Sequence, residues 1–184
     1  VESRRKAIAS RNARRRAVAP IPMAGKGGNQ ILSEDEAPEA SRHRPPRPDL
    51  APPTDGAAAL LLASEAGRPL GRVLGWAERG LGCADAIRRL LAATGLSVGG
   101  IDRWEVHEAS AAHVLATLRE VPGLDPGRVN VRGGALALGD PMGASGARLL
   151  VTLLHTLHDE GLQTGVVAIS AGHGLGVAMA IARS

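Results

Sequence analysis

The sequence predicts an α/β layered fold with a mixed sheet. Short apolar runs of strand length alternate with segments whose apolar residues recur at helical spacing, and glycines separate most of these segments. Hydrophobic residues make up 44% of the 184 residues, which is enough for a buried core. Because the chain has two Trp and no Phe or Tyr, Leu, Val, Ile and Ala must form that core.

The first 54 residues differ in composition from the rest and are predicted to lie outside the main domain. Residues 1–23 carry seven Lys or Arg among good helix formers, which predicts a basic helix ended by Pro20 and Pro22. Residues 24–54 are rich in Pro and Gly and are predicted to be a linker, because they offer little apolar surface to offset the entropy of ordering. Residues 55–184 are predicted to form the domain.

The domain is predicted to begin with two strands and a helix. The apolar runs 57–63 and 70–76 have strand length, although two glycines weaken the second. Residues 84–93 place apolar side chains on one face with arginines opposite and are followed by Gly95, which predicts a helix with a glycine cap.

The second half of the domain shows the same alternation and ends in a hairpin. By periodicity and flanking glycines we expect, in order, a strand at 103–106, a helix at 109–119, a helix at 146–160, and strands at 166–170 and 177–181. A Gly-rich turn at 171–176 joins the last two strands.

Composition and charge exclude several classes of protein. A single cysteine, Cys83, rules out an internal disulfide, and His155 with His158 lacks a third ligand at metal-binding spacing, so no metal is expected. Residues 1–48 hold 11 Lys or Arg against 5 Asp or Glu, so the net charge of +4 belongs to this segment. Without stacking aromatics, nucleic acid is not an expected partner. No membrane-length apolar run or signal-like start is present, which predicts a cytoplasmic protein.

Three segments place polar residues where a strand meets a helix or turn, the usual place for α/β active sites. They are residues 104–110, 133–148 and 170–174. The middle one is a glycine-rich loop that feeds a helix, but it has neither a Walker lysine nor dinucleotide-binding spacing. On spacing alone, such a loop fits an oxyanion or phosphate site and also fits a purely structural turn.

Residues 129–157, VNVRGGALALGDPMGASGARLLVTLLHTL, resemble the thiolase signature, in which Asn-x-Gly-Gly-Ala-Ile-Ala-Leu-Gly-His-Pro-x-Gly-Ala-Ser-Gly precedes a long helix. Residues 104–119 are similar to the thiolase segment Trp-Glu-x-Asn/His-Glu-Ala, and residues 165–183 to its last hairpin, which carries Cys-x-Gly-Gly-Gly. Residues 55–59 and 2–16 also resemble thiolase segments. The resemblance implies a thiolase C-terminal domain with a mixed five-stranded sheet and helices on both faces.

Thiolases transfer acyl groups between coenzyme A thioesters, so the resemblance implies an acyl-CoA as substrate or ligand and no covalently bound cofactor. It places His107, Asp140 and Ser170 at the positions of thiolase catalytic residues. It also implies substrate-binding roles for Met142, Gly172 and His173. In the family a histidine activates a cysteine nucleophile, and a second cysteine moves the α-proton of the other thioester.

The chain departs from the thiolase pattern at those positions. Asp140 replaces the Gly-His-Pro histidine, and Ser170 replaces the proton-moving cysteine. A carboxylate is a poor base toward a thiol, and a serine hydroxyl ionises reluctantly. His107 matches a histidine of some thiolase branches and is expected near the thioester oxygen. Residues 47–54 stand where thiolases carry a pantetheine-contacting segment, and the N-terminal arginines either contact the coenzyme phosphates or form a solvated helix face.

These departures predict a chain that is catalytically inactive alone, since the nucleophile belongs to the N-terminal half of a thiolase. Cys83 lies outside any nucleophile motif and is expected to be a packing residue. An acyltransferase completed by an N-terminal thiolase half, or by a second copy of the chain, is one hypothesis. A non-catalytic acyl-CoA-binding or scaffolding relative is the alternative, and a truncated product without a role is a third. A Ser170–His173–Asp140 hydrolase site is a further, weaker hypothesis.

Overall fold

The structure is a computed structural model that describes residues 21–25, 28–32, 49–64, 67–80 and 82–184. Six strands are described: β1 (Ile21–Gly25), β2 (Gly28–Leu32), β3 (Gly71–Arg79), β4 (Arg103–Val106), β5 (Thr164–Ser170) and β6 (Gly176–Arg183). Four helices are described: α1 (Cys83–Thr94), α2 (Ala111–Glu120), the single turn α3 (Ala135–Leu138) and α4 (Ser145–Asp159).

The main sheet is mixed, as predicted, with the strand order β3-β6-β5-β4. Strands β4 and β5 run parallel, with Val106 opposite Ala168, whereas β6 pairs antiparallel with both β5 and β3. Beyond β4 the sheet is continued only by a single parallel bridge between Trp104 and Val129. The carboxyl ends of β4 and β5 therefore meet at one edge of the sheet, where polar side chains from both can gather.

Helices cover both faces of this sheet, which confirms the predicted layering. On one face α1 packs over β3, β5 and β6, and its Ile87 and Leu90 are fully buried with Trp104 of β4. On the other face α4 packs over β4, β5 and β6 through three fully buried leucines one turn apart, Leu149, Leu153 and Leu157. Side chains of β5 alternate between the two layers, because successive strand residues point to opposite faces.

The prediction of a strand at 57–63 is wrong, and so is the prediction that the sheet has five strands. Residues 57–63 belong to no strand, and they lie at the surface, with Leu61 96% and Leu62 81% exposed. The described sheet has an edge at β3, and residues 57–63 do not pair with it, because strand pairing depends on tertiary contacts that a short apolar run does not encode. The described sheet has four paired strands.

The N-terminal predictions are only partly covered by the structure. Residues 1–20 of the expected basic helix lie outside the described residues, whereas Ile21–Gly25 and Gly28–Leu32 form an antiparallel hairpin instead of a helix end and linker. Gly25 pairs with Gly28, and the register runs from there to Ile21 opposite Leu32. Within the described part of the chain, none of the helices is long and apolar enough to cross a membrane.

The last residues of the expected linker also pack against the domain. Residues 49–54 form a strap whose Leu50 bridges Ser110 and whose Pro53 bridges Asp140. The Asp140 N–H donates to the Pro52 carbonyl at 2.8 Å. The strap therefore joins the start of α2, at Ser110, to the backbone of Asp140.

Candidate active site

The carboxyl end of β4 delivers His107 and Glu108 into the protein interior. The His107 N–H donates to the Ala168 carbonyl at 2.8 Å, which continues the parallel pairing with β5 for one more residue. His107 is 7% exposed and Glu108 is fully buried. Buried polar side chains at the end of a strand require partners, and the following loops supply most of them.

The Asn130 side chain makes the hydrogen bonds to the backbone of β4 that a neighbouring strand would otherwise make. Its side-chain Oδ1 accepts from the Val106 N–H at 2.7 Å, and its Nδ2 donates to the Val106 carbonyl at 2.8 Å. The same amide donates to Glu108 Oε1 at 2.8 Å, and the Leu136 N–H donates to Oε2 at 3.1 Å. Gly134 is required here, because a Cβ at that position would overlap the Glu108 carboxyl group.

The glycine-rich loop places Asp140 between this network and the start of α4. Asp140 Oδ1 accepts from the Ser145 hydroxyl at 2.5 Å and from the Met142 N–H at 3.2 Å. Burial acts to raise the pKa of Asp140, but the Ser145 hydrogen bond, the nearby His107 and the Met142 N–H together bring that pKa below its ordinary value. The carboxyl group is therefore ionised at neutral pH.

His107 faces that carboxylate. Its Nε2 lies 3.2 Å from Asp140 Oδ1, an ion-pair distance at which the ring N–H is not aligned for a hydrogen bond. The other ring nitrogen, Nδ1, has no hydrogen-bond partner among the described residues. Both ring nitrogens are buried. An imidazole beside a carboxylate is the kind of pair that general acid–base catalysis uses.

Arg148 supplies positive charge beneath the site from the first turns of α4. Its guanidinium nitrogens are buried and lack a hydrogen-bond partner among the described residues. Burial lowers the pKa of Arg148, while the charges of Glu105, Asp140 and Glu108 act to raise it. Arg148 therefore offsets the negative charge of three carboxylates that the fold buries together.

Ser170, at the end of β5, hydrogen-bonds to a residue outside this pair. Its hydroxyl donates to Cys83 Sγ at 2.9 Å, at the first residue of α1. Burial raises the pKa of the Cys83 thiol, although the Ser170 hydrogen bond acts to lower it. Cys83 is 5% exposed, in agreement with a packing residue. Because the Ser170 hydroxyl is directed at this thiol, the geometry does not support a triad with His173 and Asp140.

The predicted substrate-binding residues lie on two turns at this end of the sheet. Met142 is 71% exposed and follows Asp140 directly, whereas Gly172 and His173 lie on an exposed turn after β5. Met142 and His173 both have a positive φ, 51° and 62°, so each turn holds its side chain in a constrained backbone geometry. The structure thus brings His107, Asp140 and Met142 together and places Ser170, Gly172 and His173 at the neighbouring strand end.

The sequence singled out the segments that hold Glu105, Glu108, Ser145 and Arg148, but it assigned these residues no individual role, and Asn130 lies outside the three segments. A polar residue flanked by apolar ones, such as Asn130 between two valines, is the kind of signal that could have pointed to it. No grouping of three His, Cys, Asp or Glu able to hold a metal is found in the described part of the chain.

Residues 74–183 match the family model described as thiolase, C-terminal domain. The chain belongs to the thiolase family. It is 45% identical over 142 residues to the cytosolic acetyl-CoA acetyltransferase of Mus musculus, covering 70% of this chain and 36% of that protein. It is 35% identical over 195 residues to the beta-ketoadipyl-CoA thiolase of Pseudomonas aeruginosa, covering 90% of this chain and 49% of that thiolase.

Solved thiolase structures share the fold over the whole chain. Human mitochondrial 3-ketoacyl-CoA thiolase superposes with a TM-score of 0.77 at 29% identity, covering all of this chain and 55% of that one. The acetyl-CoA acetyltransferase of Bacillus anthracis gives a TM-score of 0.76 at 28% identity. The chain therefore spans about half the length, or less, of the thiolases it matches.

Proposed function

We propose that this chain contributes one half of a thiolase-type active site, which transfers acyl groups between coenzyme A thioesters. The observation that carries the proposal is the buried His107 facing the ionised Asp140 at the carboxyl end of β4. Both residues lie at the edge of the sheet where an α/β fold presents its ligands. Relatives named as acetyl-CoA acetyltransferases support an acyl-CoA as the substrate.

Thioester exchange needs a group that moves a proton and a surface that the thioester can reach. His107 provides an imidazole, a ring with one nitrogen that can donate a proton and one that can accept it. Met142, exposed beside Asp140, and His173, exposed beyond β5, provide accessible contacts for the acyl-CoA at the two adjoining turns. Coenzyme A enters this proposal as a substrate and not as a covalently held cofactor.

The chain alone is proposed to be inactive, because it has no reactive thiol. Its single cysteine, Cys83, is buried and its thiol pKa is raised, so the thiolate that attacks a thioester is scarce and shielded. A nucleophile must then come from outside these residues. The exposed apolar segment 57–63 supports an association with the rest of a thiolase, or with a second copy of this chain, that would cover it.

A second candidate is an acyl-CoA-binding relative without turnover, which would hold the thioester for a partner. The hydrogen bond from Ser170 to the buried Cys83 favours it, since neither side chain is then available for chemistry. The cytoplasmic location expected from the sequence stays a prediction.

Titration calorimetry with acetyl-CoA tests the binding that both candidates require. We expect heat of binding from the wild-type chain and weaker binding from Met142→Asp, which places a carboxylate on the exposed turn. Asp159→Ala, at the far end of α4 from this turn, is the control and should bind as the wild type does. An absence of heat, together with an unchanged melting temperature in acetyl-CoA, would contradict both candidates.

A further inference from the structure

The strap formed by residues 49–54 carries an inference about access to the site, which deepens the proposed function and rests on it. Thioester exchange requires the His107 imidazole to meet a thioester. Both ring nitrogens of His107 are buried, and the residue as a whole is only 7% exposed. For the proposed function, the described arrangement is therefore a closed state, and part of the structure must move before a thioester reaches the ring.

The first half of the strap is bonded to the segment that follows His107. The Ala51 N–H donates to the Ala109 carbonyl at 3.2 Å, and the Ala111 N–H donates to the Asp49 carbonyl at 2.8 Å. The first of these bonds reaches a residue only two positions beyond His107. This half of the strap therefore lies along the segment by which the imidazole leaves the sheet.

The second half of the strap is bonded to the residue that faces His107. The Asp140 N–H donates to the Pro52 carbonyl at 2.8 Å, and the Thr54 N–H donates to the Asp140 carbonyl at 3.2 Å. The two segments pack closely, since a Cβ added at Gly139 would overlap the Thr54 side chain. The strap therefore joins the two segments that bring His107 and Asp140 together.

The strap is held less firmly than the sheet on which the site is built. None of its six residues is buried, and its large apolar side chain, Leu50, is 41% exposed. Pro52 and Pro53 have no N–H with which to bond to the domain. Segments with few buried apolar contacts and exposed backbone hydrogen bonds open at the lowest cost in free energy, whereas core strands open last. We therefore expect the strap to open before β4 or β5 does.

We propose that the strap is a lid, which shields His107 when closed and opens to let the thioester of an acyl-CoA reach the imidazole. Opening breaks the four backbone hydrogen bonds and leaves the sheet and α4 in place. The freed backbone groups of Ala109 and Asp140 then bond to water or to the entering ligand. Because only molecules with an open strap bind the thioester, the apparent affinity falls in proportion to the open fraction.

A disulfide that holds the strap closed tests the proposal. Leu50 and Ser110 are opposite each other in an antiparallel bridge, between the hydrogen bonds to Ala109 and Ala111. The Cα atoms of such a pair lie about 4.5 Å apart. Disulfides span Cα separations of about 4.4–6.8 Å. Leu50→Cys with Ser110→Cys, in a Cys83→Ala background that leaves no other thiol, should therefore lock the strap on oxidation.

Diethyl pyrocarbonate, which acylates accessible imidazoles, measures the opening without any coenzyme. When opening is fast, the rate of modification follows the population of the open form. By peptide mass spectrometry, the rate at His107 should fall at least about tenfold in the oxidised lock relative to its Cys83→Ala parent, while the exposed His155 keeps its rate. Pro53→Gly frees the open strap and removes none of the four hydrogen bonds, so it should raise the rate at His107 about two- to fivefold.

Equal rates of modification at His107 in the lock and its parent would overturn the proposal. The Pro53→Gly variant needs no disulfide, so an unchanged rate at His107 in that variant would overturn it even if the lock does not form.

Calorimetry with acetyl-CoA on the same lock separates this inference from the proposed function. The oxidised form should bind at least about tenfold more weakly than the same protein after reduction, because molecules with a closed strap bind no thioester. Equal binding by the two forms would overturn the lid. Binding by neither form, nor by the wild type, would refute the proposed function, and a slower modification of His107 in the lock would then still support the strap as a lid over the imidazole.

Discussion

Replacing Asn130 with alanine should destabilise the fold more than any other polar truncation at this site. Its amide makes three buried hydrogen bonds, two to Val106 and one to Glu108. Asn130 itself is 4% exposed and Glu108 is fully buried, so little water is available to replace the lost bonds. The substitution leaves a backbone N–H, a backbone carbonyl and a carboxylate without their Asn130 partner.

The magnitude follows from those three groups. Each buried group left unsatisfied costs about 1–3 kcal/mol, and the cost rises for charged groups. Partial relaxation reduces the sum, so we expect a loss of about 3–6 kcal/mol in the free energy of unfolding. A domain is stabilised by about 5–15 kcal/mol in total, so Asn130→Ala should be close to unfolding at room temperature.

Urea denaturation followed by tryptophan fluorescence measures this loss. Trp104 is 1% exposed and its carbonyl accepts from the Asn130 N–H at 2.8 Å, so it reports on this part of the sheet, whereas Trp76 is 62% exposed. Asn130 has a φ of +51°, and Asn130→Gly removes the same hydrogen bonds without the backbone strain of alanine.

The glycine variant should therefore lose nearly as much stability as the alanine variant, within about 1 kcal/mol. A loss below about 1 kcal/mol in both variants would refute the reasoning, because it would mean that the buried groups find other partners.

Three further predictions concern the groups around this site. Gly134→Ala should cost several kcal/mol by urea melting, because its Cβ overlaps the Glu108 carboxyl group, whereas Gly99→Ala, with open space at Cβ, should cost much less. The pKa of Asp140 is depressed, so its contribution to stability is present above its ordinary value of 3.8 and is lost as the pH falls through the folded-state pKa. Asp140→Asn should reduce this loss of stability at acid pH. An unchanged dependence of the unfolding free energy on acid pH would contradict the prediction. The pKa of Cys83 is raised above its ordinary 9.0, so above about pH 9 the thiol ionises more readily in the unfolded chain and the free energy of unfolding falls. Cys83→Ala should remove this loss of stability at alkaline pH.

Much of the layered fold could be predicted from local pattern. Leu149, Leu153 and Leu157 repeat at helical spacing, and the structure buries all three against the sheet. The strand predicted at 103–106 has those bounds in the structure. In contrast, the apolar run 57–63 has strand composition but does not pair, because pairing is a tertiary property that a short run does not encode.

The sequence predicted where the site lies, but not which contacts its side chains make. Motif resemblance pointed to His107 and Asp140, and the structure brings these two residues together. Asp140 is a poor base toward a thiol, and only the structure shows that its carboxylate lies 3.2 Å from the His107 ring. The individual roles of Arg148 and Asn130 were not predicted, because they depend on buried partners, such as Glu105 and Val106, that are distant in sequence.

Thiolytic cleavage of acetoacetyl-CoA tests the central claim most directly. It is measured with this chain alone, and again after adding the part of the P. aeruginosa beta-ketoadipyl-CoA thiolase that does not align with this chain. The account predicts no cleavage above background by the chain alone. It predicts turnover in the mixture that falls by about 10²–10⁴-fold when His107→Gln replaces the wild-type chain. Cleavage at an enzymatic rate by the chain alone, or turnover in the mixture that is indifferent to His107→Gln, would contradict it.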